Sequence, residues 1–201
     1  MWKVDAAVEA ILAGRLAIVP TDTVYGLAAT AHLEASVRDL YRAKGRDDLQ
    51  PTALVASDVD VLVECVPELR GRSAAIARAL LPGAFTLILP NPSLRFPWLT
   101  GERPDTIGVR APAVTGVARE LLERAGAIAA TSANLPGEAD PRTLDEVPHR
   151  LRAAVDAVLD GGELPGTPST VIDLTGPEPL VLREGTVPAA HALARVRAAV
   201  A

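Results

Sequence analysis

An apolar strand that runs directly into a polar turn is the feature that most restricts the fold of this chain. Residues 16–19 read Leu-Ala-Ile-Val, and residues 20–27 continue as Pro-Thr-Asp-Thr-Val-Tyr-Gly-Leu. The apolar run is typical of a buried strand. The hydroxyls, the carboxylate and the Tyr that follow are typical of a strand end that delivers polar groups to a cleft.

Helix and strand signals alternate along most of the chain, which favours an α/β fold over a helical bundle or a β-sandwich. Helices are predicted at residues 4–12, 36–44 with Ser36 as the cap, 59–66, 73–81, 114–124, 147–155 and 188–200. Strands are predicted at residues 15–20, 52–56, 85–89, 106–110, 127–131, 157–159, 170–174 and 180–183.

A short turn near the end of the chain decides the type of sheet. Residues 176–179 read Gly-Pro-Glu-Pro, too short a connection for a helix, and they predict a hairpin between the last two strands. The sheet should therefore be mixed rather than purely parallel. Because no repeat or linker interrupts the chain, we expect one α/β domain over residues 1–201, a twisted mixed sheet with flanking helices.

Composition excludes several classes of function. The chain has 201 residues, of which 49% are hydrophobic but only 3% aromatic, and its formal net charge is −5. Such a chain can bury a proper core, but scarce rings and net acidity argue against a platform for single-stranded nucleic acid. The single cysteine, Cys65, excludes an internal disulfide framework.

The sequence contains no pattern typical of a metal site or of a membrane span. The three histidines, His32, His149 and His191, show no metal-ligand spacing, so no protein-held metal is expected. No run approaches the roughly 20 apolar residues that a membrane span needs. We expect a cytoplasmic protein without a membrane partner.

Candidate ligand-binding residues follow predicted helix and strand ends. Lys44 and Arg46 flank Gly45 and could converge on phosphate oxygens, although basic residues and Gly are also ordinary at a helix end. The sequence Thr-Ser-Ala-Asn at 131–134 ends an apolar strand, where α/β sheets hold ligands, although Ser and Asn are also common in turns.

Two arginines, Arg110 and Arg183, end further strands, and a Gly-rich loop at 161–170 precedes another. Together with the Lys44 and Arg46 pair they predict a cationic cavity for a polyanionic small molecule. No Gly-x-Ser-x-Gly elbow, reactive Cys-His pair or catalytic carboxylate pair is present. Positioning and charge neutralisation therefore fit better than covalent catalysis.

Seven motifs, in order along most of the chain, resemble those of the YrdC/YwlC family of threonylcarbamoyl-AMP synthases. They are the segment 20–27, Lys-Gly-Arg at 44–46, Leu-Pro-Gly at 81–83 with Thr-Leu-Ile-Leu at 86–89, Val-Arg-Ala-Pro at 109–112, Thr-Ser-Ala-Asn at 131–134, Pro-Ser-Thr-Val-Ile-Asp at 168–173 and Leu-Arg-Glu-Gly at 182–185. The resemblance is to the short, single-domain form of the family.

The resemblance implies a nucleotidyltransferase that makes L-threonylcarbamoyladenylate and diphosphate from L-threonine, bicarbonate and ATP. ATP would come with Mg²⁺ held mainly by phosphate oxygens and water, with no tightly bound cofactor. The product would feed the threonylcarbamoyladenosine modification of tRNA through a separate transferase complex. Direct, weak tRNA binding remains open.

The resemblance also assigns roles to residues. Lys44 and Arg46 would bind the phosphates and act in catalysis, and ATP would further contact Thr131, Ser132, Asn134 and Arg183. Thr23, Tyr25, Arg110 and Ser169 would bind the other substrates.

This chain departs from the family pattern at several positions, including Asp47 and Thr52, where Pro and Leu are frequent. Two alternatives stay open. One is a carbamoyl-adenylate-handling domain with another acceptor, and the other is an RNA-binding translation or ribosome factor.

Overall fold

Helices and strands alternate through residues 2–47 and 49–200, which the computed structural model describes. In chain order the elements are α1 (Trp2–Leu12), β1 (Ala17–Pro20), β2 (Tyr25–Thr30), α2 (Glu34–Lys44), β3 (Ala53–Val55), α3 (Val59–Cys65), α4 (Gly71–Leu80), β4 (Phe85–Pro90), a 3₁₀ turn (Pro97–Leu99), β5 (Thr106–Arg110), α5 (Gly116–Ala125), β6 (Ile128–Ser132), α6 (His149–Arg152), β7 (Ala157–Val158), β8 (Thr170–Asp173), β9 (Leu180–Arg183) and α7 (Ala189–Ala198).

The strands form one sheet in the order β7-β1-β2-β6-β3-β5-β4-β8-β9. The pairs β1 with β7, β3 with β5, and β4 with β8 are parallel, and the other neighbours are antiparallel. The predicted mixed α/β sheet is confirmed, and so is the hairpin, because β8 and β9 pair antiparallel.

The two faces of the sheet carry different side chains because successive residues of a strand alternate between faces. On β2, Tyr25 and Leu27 belong to the larger buried cluster, which includes side chains from α2, α3, α4, α6 and α7. Ala28 belongs to a second cluster on the other face, built with α1 and α5. We call these the helix-covered face and the α1/α5 face.

The α1/α5 face can be followed across the sheet by strand register. Ala28 pairs with Ala130 of β6, and Ala130 pairs with Ala53 of β3. Val55 of β3 pairs with Arg110 of β5, whose Gly108 pairs with Ile88 of β4. The residues at the centre of this face are thus mostly small, while α1 and α5 pack on its β1, β2 and β6 side.

Three local predictions were wrong. Strand β2 was not predicted, because its sequence Tyr-Gly-Leu-Ala-Ala-Thr consists mostly of Gly, Ala and Leu and has a single β-branched residue, Thr30. Ser36 does not cap α2, which begins at Glu34; its hydroxyl donates to the Gly14 carbonyl at 2.8 Å. Helix α6 ends early because the chain extends at Asp156 to pair with β1.

Other predicted element bounds agree with the structure to within a few residues. Gly45 has φ 65° after α2, the left-handed conformation predicted for a helix stop. Among the residues that the structure describes, no helix is long and apolar enough to cross a membrane.

Gly185, which follows β9, lies against the backbone before β8. A Cβ added there would lie 2.2 Å from the Pro168 carbonyl oxygen, whereas one at Gly176, in the β8–β9 hairpin, would lie 3.6 Å from its nearest neighbour. We expect Gly185→Ala to lower the free energy of unfolding by roughly 1–3 kcal/mol through overpacking. Gly176→Ala is the matched control and should have little effect.

Thermal unfolding of the two variants tests this expectation. For a chain of this size, 1 kcal/mol corresponds to a shift in Tm of about 2–4 °C. Equal Tm values for Gly185→Ala and the unmodified protein would show that the backbone at Pro168 moves aside without cost.

Candidate functional site

A cavity of about 520 Å³ lies on the α1/α5 face of the sheet, beyond the part that α1 and α5 cover. Its floor includes the small residues Gly26, Ala53, Gly108 and Ala130. Its charged lining residues are Arg46, Glu102, Arg103, Arg110, Asp140 and Arg183. Among the described residues of the lining, arginines therefore outnumber carboxylates.

Arg46 lies on the cavity wall because Gly45 turns the chain at the end of α2. Its guanidinium donates to Thr131 Oγ1 at 3.1 Å and to the Pro51 carbonyl, and it lies over the Tyr41 ring. Burial lowers the pKa of Arg46, an effect that Tyr41 opposes. Within residues 2–47 and 49–200, its Nε has no hydrogen-bond partner.

Lys44 is buried behind this wall and is not among the lining residues. Its ammonium donates to Asn134 Oδ1 at 2.8 Å and to the Ser132 carbonyl at 2.5 Å. Asn134 Oδ1 also accepts from Ser132 Oγ at 2.7 Å. Lys44 and Asn134 thus fix the end of β6, which presents Thr131 and Ser132 to the cavity.

Arg110, at the end of β5, lines the cavity and is held from behind by the turn between β1 and β2. Its Nη2 donates to Thr23 Oγ1 at 2.6 Å and to Asp22 Oδ1. Thr23 is fully buried and lies outside the cavity lining. The structure therefore places Thr23 against Arg110, and the predicted contact of Thr23 with substrate stays a prediction.

Arg183, at the end of β9, also lines the cavity. Its Nε and Nη2 donate to the Ser169 carbonyl at 3.2 and 3.0 Å. Ser169 Oγ shares a hydrogen bond of 2.8 Å with Thr86 Oγ1. Burial chiefly lowers the pKa of Arg183, Asp140 raises it, and Arg110 lowers it.

Tyr25 points to the helix-covered face and is not a lining residue. Its hydroxyl donates to the Gly162 carbonyl at 2.7 Å and accepts from Gly161 N at 2.9 Å. Burial is the main cause of its raised pKa. Its predicted contact with substrate stays a prediction that this placement does not support.

The structure thus brings six of the ten predicted site residues to one cavity: Arg46, Arg110, Thr131, Ser132, Ser169 and Arg183. Lys44, Asn134 and Thr23 lie one layer behind them, and Tyr25 lies on the opposite face.

Sequence reasoning assigned no site role to several residues at or next to the cavity, among them Thr52, Asp140 and Asp22. Thr52 and Asp140 line it, and Asp22 holds Arg110. Thr52 was visible only as a departure from a family pattern, Asp22 lay within the opening motif, and nothing in the sequence marked Asp140.

Buried polar atoms without partners also gather at this cavity. Among the residues that the structure describes, they are Arg46 Nε, Thr52 Oγ1 and Arg110 Nε, and all three residues line it. An unpaired buried polar group costs about 1–3 kcal/mol. Their concentration on one wall is typical of a binding site rather than of a core.

Residues 9–185 match the family model for Sua5, YciO and YrdC proteins, which is described as telomere recombination. The chain belongs to this family. The predicted resemblance is therefore confirmed at the level of the family.

Relatives differ in how much of their length the chain covers. The threonylcarbamoyl-AMP synthase of Pyrococcus abyssi is 36% identical over 189 residues, which are 93% of this chain but 55% of that protein. The putative threonylcarbamoyl-AMP synthase of Mycobacterium tuberculosis H37Rv is 36% identical over 184 residues, which are 90% of this chain and 83% of that protein. The chain thus spans about half of one curated relative and most of another.

A solved structure of P. abyssi Sua5 complexed with L-threonine superposes with a TM-score of 0.86 at 35% identity. The match covers 94% of this chain and 56% of that one. This likeness supports the mixed sheet with flanking helices as the family fold.

The pKa of Lys44 falls from 10.5 to about 8, chiefly because of burial and then because of Arg46, with Asp140 acting in the opposite direction. At pH values between about 8 and 10.5, the Lys44 amine is protonated in the unfolded chain but has lost its proton in the folded chain. The free energy of unfolding should therefore rise with pH across this window, by on the order of 2 kcal/mol.

Denaturant unfolding at several pH values, from roughly 7.5 to roughly 10.5, tests this expectation. The free energy of unfolding is plotted against pH for the unmodified protein and for Lys44→Met. The difference between the two slopes gives the contribution of Lys44 alone, without the other groups that titrate in this range. Parallel pH profiles for the two proteins would contradict a depressed pKa.

Proposed function

We propose that this chain is an L-threonylcarbamoyladenylate synthase, which makes threonylcarbamoyl-AMP and diphosphate from L-threonine, bicarbonate and ATP. The observation that carries the proposal is the single cavity lined by Arg46, Arg110 and Arg183 in a chain related to threonylcarbamoyl-AMP synthases. Three guanidinium groups suit the carboxylate and phosphate oxygens of these substrates.

The reaction needs two successive bond formations. The neutral amine of threonine and bicarbonate give a carbamate and water. A carbamate oxygen then attacks the α-phosphorus of ATP, the bond from that phosphorus to the oxygen bridging the α- and β-phosphates breaks, and diphosphate leaves with the bond's electron pair. Fixed arginines can neutralise the charge that builds up on the phosphate oxygens without reorganising.

The cavity residues have distinct proposed roles. Arg46 and Arg183 bind phosphate oxygens, with the hydroxyls of Thr131 and Ser132 contacting the nucleotide. Lys44 and Asn134 act through the end of β6, which they hold in place. Arg110 and Ser169 bind the amino-acid or carbamate portion.

Magnesium would accompany ATP on its phosphate oxygens and water. Within residues 2–47 and 49–200, no group of three His, Cys, Asp or Glu residues is placed to hold a metal. We therefore assign no protein ligand to Mg²⁺. We further propose that the product passes to a tRNA-modifying transferase complex in the cytoplasm; weak direct binding of tRNA stays a prediction.

The direct test incubates purified protein with ATP, L-threonine, bicarbonate and Mg²⁺. We expect diphosphate release together with a product of the mass of threonylcarbamoyl-AMP, and both should stop when threonine is omitted. Equal diphosphate release without threonine would refute threonine as the acceptor. Salt-dependent tRNA binding without any adenylate would favour an RNA-binding function.

Arg46→Ala should lower kcat/KM by about 100-fold or more, because it removes a preorganised cation from the phosphate site. Arg42→Ala is the matched control. Arg42 lies one helical turn earlier, is 72% exposed at its side chain and pairs with Asp39, so its loss should leave turnover unchanged. Equal activity in both variants would remove Arg46 from the site.

A further inference from the structure

We propose that Asp22 is a positioning residue, which with Thr23 fixes the guanidinium of Arg110 so that Arg110 and Arg183 together form a subsite for anionic oxygen atoms. The inference deepens the proposed function and rests on it for the identity of the ligands. The anionic oxygens belong to a carboxylate or to a phosphate, which the experiment distinguishes.

The contact between Asp22 and Arg110 is almost completely buried. Their side chains are 8% and 11% exposed, and Asp22 Oδ1 accepts from Arg110 Nη2. The same Nη2 donates to Thr23 Oγ1, while Asp22 Oδ2 accepts from Ala113 N at 2.9 Å. Both carboxylate oxygens are therefore occupied, and Asp22 is itself held in place.

The contact involves only one of the three guanidinium nitrogens of Arg110. Arg110 lines the cavity, whereas Asp22 and Thr23 do not. In the hydrogen bonds found within the described residues, Arg110 donates only through Nη2, and its buried Nε has no partner. An arginine nitrogen can only donate, so whatever completes Arg110 must bring an acceptor.

Arg183 supplies the second half of the subsite. It is fixed by the Ser169 carbonyl and lines the same cavity. Burial chiefly lowers the pKa of Arg183, Asp140 of the cavity lining opposes this, and Arg110 adds to it. Two cations that face one cavity repel each other in a medium of low polarity, and an anion between them relieves this repulsion. Carboxylate and phosphate oxygens are the acceptors that match paired guanidinium groups.

A single substitution tests whether Asp22 works through Arg110. Asp22→Asn has one acceptor oxygen instead of two, so it cannot serve both Arg110 Nη2 and Ala113 N. We expect it to weaken the binding of ATP or of L-threonine, measured by calorimetry, by about tenfold. Asp156→Asn is the control, since Asp156 pairs with Arg15 on the surface and should leave both affinities unchanged.

The ligand whose binding is weakened shows which anionic group occupies the subsite. A loss confined to ATP assigns the subsite to phosphate, and a loss confined to L-threonine assigns it to the carboxylate. Unchanged affinities for both ligands would overturn the proposal. Thr23→Val removes the hydroxyl contacts to Arg110 and to Thr21 but leaves Asp22 in place, and it should lower the same affinity by roughly threefold. It keeps the test decisive if Asp22→Asn does not fold.

A double-mutant cycle separates positioning from a general structural role. In an Arg110→Gln background, Asp22→Asn should cause no further loss of affinity. It should also raise the Tm of that background, because it removes a buried carboxylate that has lost its partner. Additive losses of affinity, or a further fall in Tm, would show that Asp22 acts independently of Arg110.

The positioning role of Asp22 and the proposed synthase function can fail independently of each other. If the unmodified protein binds ATP and L-threonine but releases no diphosphate, the synthase proposal fails while the binding data still decide the role of Asp22. If it turns over normally and Asp22→Asn matches it in both affinities, only the positioning role fails.

Discussion

The cavity depends on the small size of the residues on one face of the sheet. Gly26, Ala53, Gly108 and Ala130 occupy central strands there, while the cluster under α1 and α5 draws mainly on the neighbouring strands β1, β2 and β6. The opposite face carries Leu, Ile and Phe side chains under five helices. Because sheet faces alternate residue by residue, the same strands supply both the packed core and the floor of the site.

Three of the arginines that line the cavity come from the ends of elements around this floor. Arg46 follows α2, Arg110 ends β5 and Arg183 ends β9, so three distant segments converge only when the sheet has formed. Each guanidinium is fixed on one side by protein oxygens, and in the part of the chain that the structure describes the Nε atoms of Arg46 and Arg110 have no partner. Local violations of hydrogen-bond satisfaction of this kind are expected at functional sites. A site prepared in this way offers positioning and charge neutralisation, not a nucleophile.

Much of this organisation could be predicted from the sequence, because helix stops such as Gly45 and apolar runs such as β6 are local signals. The cations at element ends were predicted for the same reason. The direction of Tyr25 was not, since it depends on which face of β2 meets the helices, and β2 itself lacks a strong strand signal. The pairing of Asp22 with Arg110 joins residues 88 positions apart, and no local pattern specifies such a contact.

A crystal structure with a non-hydrolysable ATP analogue and L-threonine tests the central claim most directly. Both ligands should occupy the cavity on the α1/α5 face, with phosphate oxygens about 3 Å from Arg46 nitrogens and anionic oxygens between Arg110 and Arg183. A nucleotide bound elsewhere, with this cavity left without ligand, would contradict the claim that the arginine-lined cavity is the site of the reaction.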